Sequence, residues 1–106
     1  MYSLNITDVA EEDILSAINY IANVLKAPMA ANNLLDEIEM HEEILEKRPN
    51  IHPFVPDEYL AEKRLKFVMI KNYIMFYTID EDEKTINVIR FLYGRRDWKN
   101  ILRYRT

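Results

Sequence analysis

The spacing of apolar residues changes twice along this chain, and that order limits the possible fold more than any other feature. Residues 1–7 alternate apolar and polar side chains, which is typical of a short strand. Residues 7–26 and 29–48 then carry apolar side chains at helical spacing. Over residues 64–93 the period returns to two, in three segments rich in β-branched and aromatic residues. A strand, two helices and a run of neighbouring strands predict an α+β domain.

The first predicted helix has a recognisable start and end. Asp8 and Glu11 have the spacing of a capping box, and Leu15 and Val24 are expected to widen the apolar stripe that faces the core. Pro28 ends this helix, because the residue before a proline avoids helical geometry, and it can open the next one. Two helices joined by so short a link are expected to run antiparallel, as a helical hairpin.

The second half of the chain completes the predicted fold. Residues 49–59 hold three of the four prolines and are predicted to be an extended connection. Residues 94–106 are expected to turn into a short C-terminal helix, with Trp98 packed on the sheet. The predicted fold is α+β: an N-terminal strand, an antiparallel helical hairpin on a mainly antiparallel four-stranded sheet, and a short C-terminal helix. We expect one domain spanning residues 1–106.

Composition excludes several classes of site. The chain has no cysteine, which rules out disulfides, thiol nucleophiles and cysteine-based metal clusters and fits a reducing, cytoplasmic location. No signal peptide and no membrane-spanning segment are predicted. Neither His41 nor His52 is accompanied by a further ligand at metal-binding spacing, and no P-loop or dinucleotide fingerprint is visible. We therefore expect neither a metal nor a cofactor.

Charge is distributed unevenly along the chain. Residues 1–62 carry 3 basic and 13 acidic residues, whereas residues 63–106 carry 11 basic and 5 acidic ones. Such a division suggests two electrostatic faces with different partners. The alternative is that acidic helices cover a basic sheet and neutralise it. The net charge of −4 is less basic than is usual for a protein that binds nucleic acid by charge alone.

The sequence "FLYGRRDW", residues 91–98, contains the only glycine of the chain and a doubled arginine. Gly94 is expected to let the chain turn sharply at the end of a strand. Adjacent residues cannot both point inward, so at least one of Arg95 and Arg96 should face solvent or a partner. Arginine offers a planar fork of donors suited to phosphate or carboxylate. The alternative for either arginine is an ion pair with Asp97 or with the acidic helices.

A second basic set lies on the predicted strands. Arg64, Lys66 and Arg90 each alternate with apolar residues along the predicted strands, so all three are expected on the sheet face opposite the helices if the helices cover the other face. With Tyr73 and Tyr93 nearby, such a face could hold a nucleic-acid backbone. The alternative is an ordinary solvated face.

The segments "YIMFYTID" and "VIRFLYGRRDW", followed by "KNIL", resemble the RelE/ParE superfamily of bacterial type II toxin–antitoxin toxins. The predicted order of elements matches that fold over essentially the whole chain, and the strand-end "GRRDW" is the most specific part. The resemblance is closest to ParE-like members, which poison DNA gyrase by binding it. It implies a role in plasmid stabilisation, neutralisation by a cognate antitoxin, and a toxin–antitoxin hetero-oligomer.

The two branches of the superfamily imply different mechanisms. RelE-like members cut mRNA on the ribosome, and a nuclease of that kind would here use Arg64, Lys66, Arg90 and Arg96. Ile74 replaces an arginine of that set, and Ile101 or Leu102 falls near its C-terminal tyrosine, with Tyr104 a little beyond. The ParE-like alternative needs no catalytic residues. It implies a partner-binding surface of Arg90, Tyr93, Arg95 and Arg96. A third hypothesis is a relative that only binds its partner and is not toxic.

Overall fold

The computed structural model describes residues 1–104 of the chain, so the end of the predicted C-terminal segment, residues 105–106, lies outside the described part. In chain order the elements are β1 (Ser3–Ile6), α1 (Asp8–Asn19), a π-helical turn (Tyr20–Val24), α2 (Pro28–Lys47), α3 (Glu58–Glu62), β2 (Lys66–Ile70), β3 (Tyr73–Asp80), β4 (Thr85–Tyr93) and α4 (Trp98–Tyr104). The sheet order is β1-β4-β3-β2, with β1 parallel to β4 and the other pairs antiparallel. The predicted α+β fold is confirmed.

The start of α1 differs from the predicted capping box. The N-cap is Thr7, whose hydroxyl accepts a hydrogen bond from the Ala10 amide at 3.2 Å and donates to the Val88 carbonyl at 2.9 Å. The prediction of a box from Asp8 to Glu11 is wrong, because the threonine hydroxyl already satisfies the exposed backbone donor. Both carboxylates lie in the first turn instead, where they suit the positive end of the helix dipole.

The end of the first helical segment also departs from the prediction. Leu15 and Val24 are 61% and 62% exposed, so the expectation that they face the core is wrong. Leu15 lies about 100° around the helix from the buried Ile14. Val24 is the last residue of the π-helical turn. A π-helix has more residues per turn than an α-helix, so apolar residues at α-helical spacing no longer lie on one face. Pro28 opens α2 as predicted.

Apolar side chains cover both faces of the sheet. The helical hairpin packs on one face over a large core, whose most buried strand members are Ile70, Met75, Tyr77, Ile86, Val88 and Phe91. The other face carries a second cluster, in which residues of α3, α4 and the preceding connection pack against the strands: Val55, Leu60, Leu65, Ile74, Phe76, Leu92, Ile101 and Leu102. The predicted basic face is therefore wrong, because short helices and a loop cover that side of the sheet.

The proline-rich connection contains no long helix, as predicted, but the expected extended geometry over residues 49–59 is wrong. Residues 49–52 form turns and bends, and the short helix α3 already begins at Glu58. Phe54 forms a single antiparallel bridge with Lys66, which covers the start of the edge strand β2. Asp57 caps α3 by accepting a hydrogen bond from the Leu60 amide at 3.1 Å. The same carboxylate pairs with Arg103 of α4 at 2.8 Å, so the two short helices are joined over the second cluster.

Trp98 fixes the C-terminal segment to the sheet. Its ring lies 5.4 Å from the Phe76 ring, centroid to centroid, and packs on the second cluster, which confirms the predicted anchoring role. Gly94 lies in the preceding turn, where its amide donates to the Asn72 carbonyl at 2.8 Å. A Cβ at this position would stand 3.2 Å from that oxygen. The glycine therefore serves close backbone approach here rather than a positive φ.

Candidate functional site

Arg90 is drawn inward rather than presented on a sheet face. Its guanidinium pairs with the Asp13 carboxylate of α1 through two hydrogen bonds, of 2.7 Å from Nε and 3.1 Å from Nη2. Asp13 also accepts the Phe91 amide at 3.0 Å. The two charged side chains are only 11% and 14% exposed. The predicted placement of Arg90 on the face opposite the helices is wrong.

A β-bulge explains this placement. Phe76 pairs with Arg90 and Tyr77 with Val88, so Ile89 is an extra residue in β4. A bulge interrupts the strict alternation of side chains between the two faces. The alternation of side chains along β4 therefore does not predict the face on which Arg90 lies, and its guanidinium contacts α1.

Lys66 is also on the helix side, which corrects its predicted placement. It begins β2 and shares a face with Val68 and Ile70 of the large core. Its ammonium donates to the His52 carbonyl at 2.8 Å and lies 4.3 Å from the centre of the Phe54 ring. Burial, together with the nearby charge of Arg64, lowers the pKa of Lys66.

Arg64 precedes β2 rather than belonging to it. It is exposed and has a φ of 62°, in the left-handed region. Its guanidinium lies 5.4 Å from the centre of the Phe54 ring, on which Lys66 also packs. Arg64 and Lys66 therefore share one aromatic contact near the start of β2.

Arg95 and Arg96 are both exposed in the turn formed by residues 94–96, which we call the arginine turn. Among residues 1–104 neither side chain forms an ion pair, so the predicted alternative of pairing with Asp97 does not occur. The Asp97 carboxylate instead accepts a hydrogen bond from the Asn100 amide group at 3.1 Å. The arginine turn thus exposes two guanidinium groups to solvent.

Arg96 and Tyr93 line a cleft between the tip of the helical hairpin and the ends of β3 and β4. The cleft has a volume of about 580 Å³. Its lining residues are Tyr20, Ile21, Leu25, Ala30, Asn72, Tyr73, Tyr93 and Arg96. We call it the tyrosine cleft. It unites two residues of the predicted binding surface with helical residues that the sequence did not single out.

The tyrosines of this cleft are packed against one another. The Tyr73 ring stacks on Phe91 at 5.0 Å and meets the edge of Tyr93 at 5.5 Å. Burial, with the neighbouring Tyr93 and Tyr20 hydroxyls, raises the pKa of Tyr73. Among the described residues that line the cleft none is acidic, so its charge comes from Arg96.

Both histidines are partly buried. His41 Nδ1 and His52 Nε2 are buried and have no hydrogen-bond partner in the described part of the chain. Burial, with the nearby His41 and Lys66, lowers the pKa of His52. Within residues 1–104 no cluster of three or more histidine or acidic side chains is placed to hold a metal ion.

Comparison with known proteins decides the family. Residues 4–98 match the sequence profile of the ParE toxin of the type II toxin–antitoxin system parDE. The chain belongs to this family. No curated protein matches this ParE-family chain significantly in sequence.

Two solved structures share the fold of the ParE-family chain. A chain of the chromosomal ParDE system from P. aeruginosa superposes with a TM-score of 0.68 and 19% identity, over 88% of this chain and 96% of that one. A chain of the RelBE2 complex from Mycobacterium tuberculosis gives a TM-score of 0.60 and 16% identity, over 87% and 96%. Among residues 1–104 no helix is long and apolar enough to cross a membrane.

Five cleft residues escaped the sequence analysis: Tyr20, Ile21, Leu25, Ala30 and Asn72. Tyr20 and Ile21 belong to the π-helical turn, which has no sequence signature comparable to that of an α-helix. Asn72 lies in the β2–β3 turn, and its carbonyl accepts a hydrogen bond from the Gly94 amide. The Lys71–Asn72 pair between two predicted strands was a usable turn signal.

Proposed function

We propose that this ParE-family toxin inhibits growth by binding DNA gyrase, through a surface that includes Arg95, Arg96 and Tyr93. The family match supports a toxin, and the exposed arginine turn beside the tyrosine cleft supports a binding surface. Arg90 leaves the proposed surface, because its guanidinium is occupied by Asp13. It acts instead by holding α1 against β4.

The observation that carries this proposal is that the four cations a RelE-like nuclease would need lie in three separate places: Arg64 with Lys66 at Phe54, Arg90 at Asp13, and Arg96 in the cleft. Arg90 is paired with Asp13, and Lys66 is 9% exposed beneath the connection. Lys66 also lies far from the tyrosine cleft. It is four positions along β2 from Ile70, whose strand partner Tyr73 lines the cleft. At about 3.3 Å per residue this separates it from the cleft by roughly 13 Å along the strand. A single phosphate cannot contact such a set.

We further propose that a cognate antitoxin binds and neutralises the toxin in a cytoplasmic hetero-oligomer. The family description names a toxin–antitoxin system, and the two solved neighbours come from toxin–antitoxin assemblies. Co-expression with the product of an adjacent small open reading frame should restore growth and co-purify with this chain. Growth arrest that no neighbouring product relieves would contradict this part of the proposal.

The first test of the gyrase proposal uses the purified chain in a DNA supercoiling assay. We expect inhibition of supercoiling or accumulation of gyrase-cleaved DNA, and loss of both with Arg96→Ala. Lys47→Ala is the matched control, since Lys47 is an exposed cation at the far end of α2. A chain that arrests growth while leaving gyrase untouched contradicts gyrase as the target.

One observation favours the RelE-like alternative, a ribosome-dependent mRNA endonuclease. Arg96 and Tyr104 line the same hollow of about 540 Å³, together with Asp97, Asn100 and Ile101. A tyrosine beside an arginine could assist proton transfer at a phosphodiester. Pulse labelling after induction separates the two: DNA synthesis stops first for a gyrase poison, and translation stops first for a nuclease. Unchanged growth would support the non-toxic, partner-binding alternative.

A further inference from the structure

A separate hollow lies at the end of the sheet remote from the tyrosine cleft. Tyr73 of the cleft begins β3, whereas this hollow adjoins the last residues of β3 and the start of β2. It has a volume of about 200 Å³. We call it the edge hollow, because β2 is an edge strand of the sheet. Its lining residues come from the proline-rich connection, from β2 and the residues before it, and from the end of β3: Asn50, Phe54, Arg64, Lys66, Ile79 and Glu81.

Two cations stand side by side in the edge hollow. The Lys66 ammonium donates to the His52 carbonyl at 2.8 Å, which uses one of its three N–H groups. It also lies 4.3 Å from the centre of the Phe54 ring, and the Arg64 guanidinium lies 5.4 Å from the same centre. Lys66 is only 9% exposed, and burying a charge without a counter-charge is costly. The two side chains therefore offer the hollow positive charge and unused hydrogen-bond donors.

A carboxylate lines the same hollow without neutralising these cations. Among residues 1–104 Glu81 forms no ion pair with Arg64 or Lys66. Burial and the neighbouring Arg64 both lower the pKa of Lys66, and no carboxylate offsets them. One oxygen of Glu81 accepts a hydrogen bond from the Tyr2 hydroxyl instead, which leaves the other oxygen available. The edge hollow thus has a positive side and a negative side that do not pair with each other.

We propose that the edge hollow binds a small zwitterion of the α-amino-acid class, with its carboxylate at Arg64 and Lys66 and its ammonium at Glu81. The guanidinium and the lysine ammonium supply charge-assisted hydrogen bonds to the carboxylate oxygens of the ligand. Phe54 and Ile79 supply apolar surface for the side chain of the ligand. This inference goes beyond the proposed function, because none of these residues belongs to the proposed gyrase-binding surface.

Ligands of a single charge fit the edge hollow less well. A phosphate group would meet Glu81 and the β3–β4 turn, in which residues 80–83 are all acidic. A polyamine would meet Arg64 and Lys66. The volume is also below the roughly 300–1,000 Å³ typical of pockets for drug-sized ligands, so a nucleotide is too large. A zwitterion has no net charge, avoids both repulsions and is small enough.

The first test titrates leucine into the purified whole chain. We expect saturable binding by calorimetry, with amide NMR shifts centred on Asn50, Lys66 and Glu81. N-acetyl-leucine lacks the ammonium and leucinamide lacks the carboxylate, so each should bind at least tenfold more weakly than leucine. Inorganic phosphate should also bind more weakly. These measurements need no gyrase, so their outcome is separate from that of the supercoiling assay.

Three results of this titration would overturn the inference. The first is no saturable binding at millimolar leucine. The second is equal or tighter binding of N-acetyl-leucine, leucinamide or phosphate, because the hollow would then not require both charges. The third is a set of NMR shifts centred outside the edge hollow.

Charge-removing variants complete the test. Lys66→Met should bind leucine at least tenfold more weakly than the parent. Glu81→Gln should also lose leucine binding tenfold, but it should bind N-acetyl-leucine as the parent does, because that ligand has no ammonium. Arg64→Gly should weaken leucine binding equally and still fold, since glycine adopts the φ of 62° at this position without strain. Lys63→Ala is the matched control, because Lys63 is an exposed cation next to Arg64 that does not line the hollow.

Circular dichroism identifies the variants that are folded, and Arg64→Gly decides if Lys66→Met does not fold. Binding of leucine as tight as that of the parent by folded Arg64→Gly or Glu81→Gln would overturn the inference. So would an equal loss of affinity in Lys63→Ala, because binding would then follow the general charge of this surface.

Discussion

Arg90 and Arg96 stand six positions apart at the end of the same sheet and have opposite surroundings. Arg90 is largely buried, and its guanidinium is paired with Asp13 of α1. Arg96 is exposed, lines the tyrosine cleft and has no ion-pair partner among residues 1–104. The same side chain thus holds the fold together in one place and is available to a partner in the other. The two roles differ because the fold places the Asp13 carboxylate beside Arg90 and no carboxylate of the described residues in an ion pair with Arg96.

The largest expected effect comes from breaking the buried pair. Arg90→Met leaves the Asp13 carboxylate buried without its counter-charge, and removing one partner of such a pair typically costs about 3–5 kcal/mol of unfolding free energy. Urea denaturation of the parent and the variant measures the difference.

A double-mutant cycle sharpens this prediction. Asp13→Leu combined with Arg90→Met should cost clearly less than the sum of the two single changes, because no unpaired charge then remains. Arg90→Lys keeps the charge but loses the bidentate hydrogen bonding. Its free energy of unfolding should therefore lie between those of the parent and of Arg90→Met. Additive single effects would show that the pair is not coupled and that our comparison of the two arginines is wrong.

The second effect tests what holds the arginine turn in place. Trp98→Ala removes the ring that packs on Phe76 and the second cluster. We expect a loss of about 2–3 kcal/mol in unfolding free energy, because a fully buried tryptophan costs roughly 3–5 kcal/mol and this one is partly exposed. Thermal denaturation measures it, with Trp98→Phe as the milder control. A variant as stable as the parent would mean that the turn does not depend on this anchor.

The order of elements was predictable from the sequence, whereas the direction of several charged side chains was not. The spacing of apolar residues correctly indicated the helices and the strands of the sheet. Pro28 and the proline-rich connection marked the two ends of the second helix. These signals are local, because each depends on residues close together in the chain. Trp98 was placed correctly for the same reason.

The errors at Arg90, Lys66 and the cleft share one physical cause: each depends on how distant parts of the chain come together. Arg90 was misplaced because a one-residue bulge in β4 interrupts alternation. Lys66 was misplaced because apolar side chains cover both faces of the sheet: Leu65 and Phe67 pack in the second cluster, so Lys66 shares the helix-side face with Val68. The tyrosine cleft could not be foreseen, since its walls come from the hairpin tip and from two strand ends.

A third prediction concerns pH and the buried region around Lys66. Burial and the nearby cations lower the pKa of His52 in the folded chain. The unfolded chain therefore binds the proton more readily, so this contribution to stability is present above pH of about 6.5 and is lost as the pH falls below it. His52→Gln removes the titrating group. Between pH 7.5 and 5 the parent should lose more unfolding free energy than this variant. Equal losses would place the acid sensitivity elsewhere.

The smallest effect on stability is expected at Arg96, which we propose as part of the binding surface. Arg96→Ala should change the unfolding free energy by less than about 0.5 kcal/mol, because an exposed side chain without a partner contributes little. The same change should abolish growth inhibition, if the arginine turn contacts the target. Urea denaturation and a growth assay on the same variant measure the two quantities. Joint loss of stability and toxicity would mean that Arg96 supports the fold as Arg90 does, and full toxicity would remove it from the binding surface.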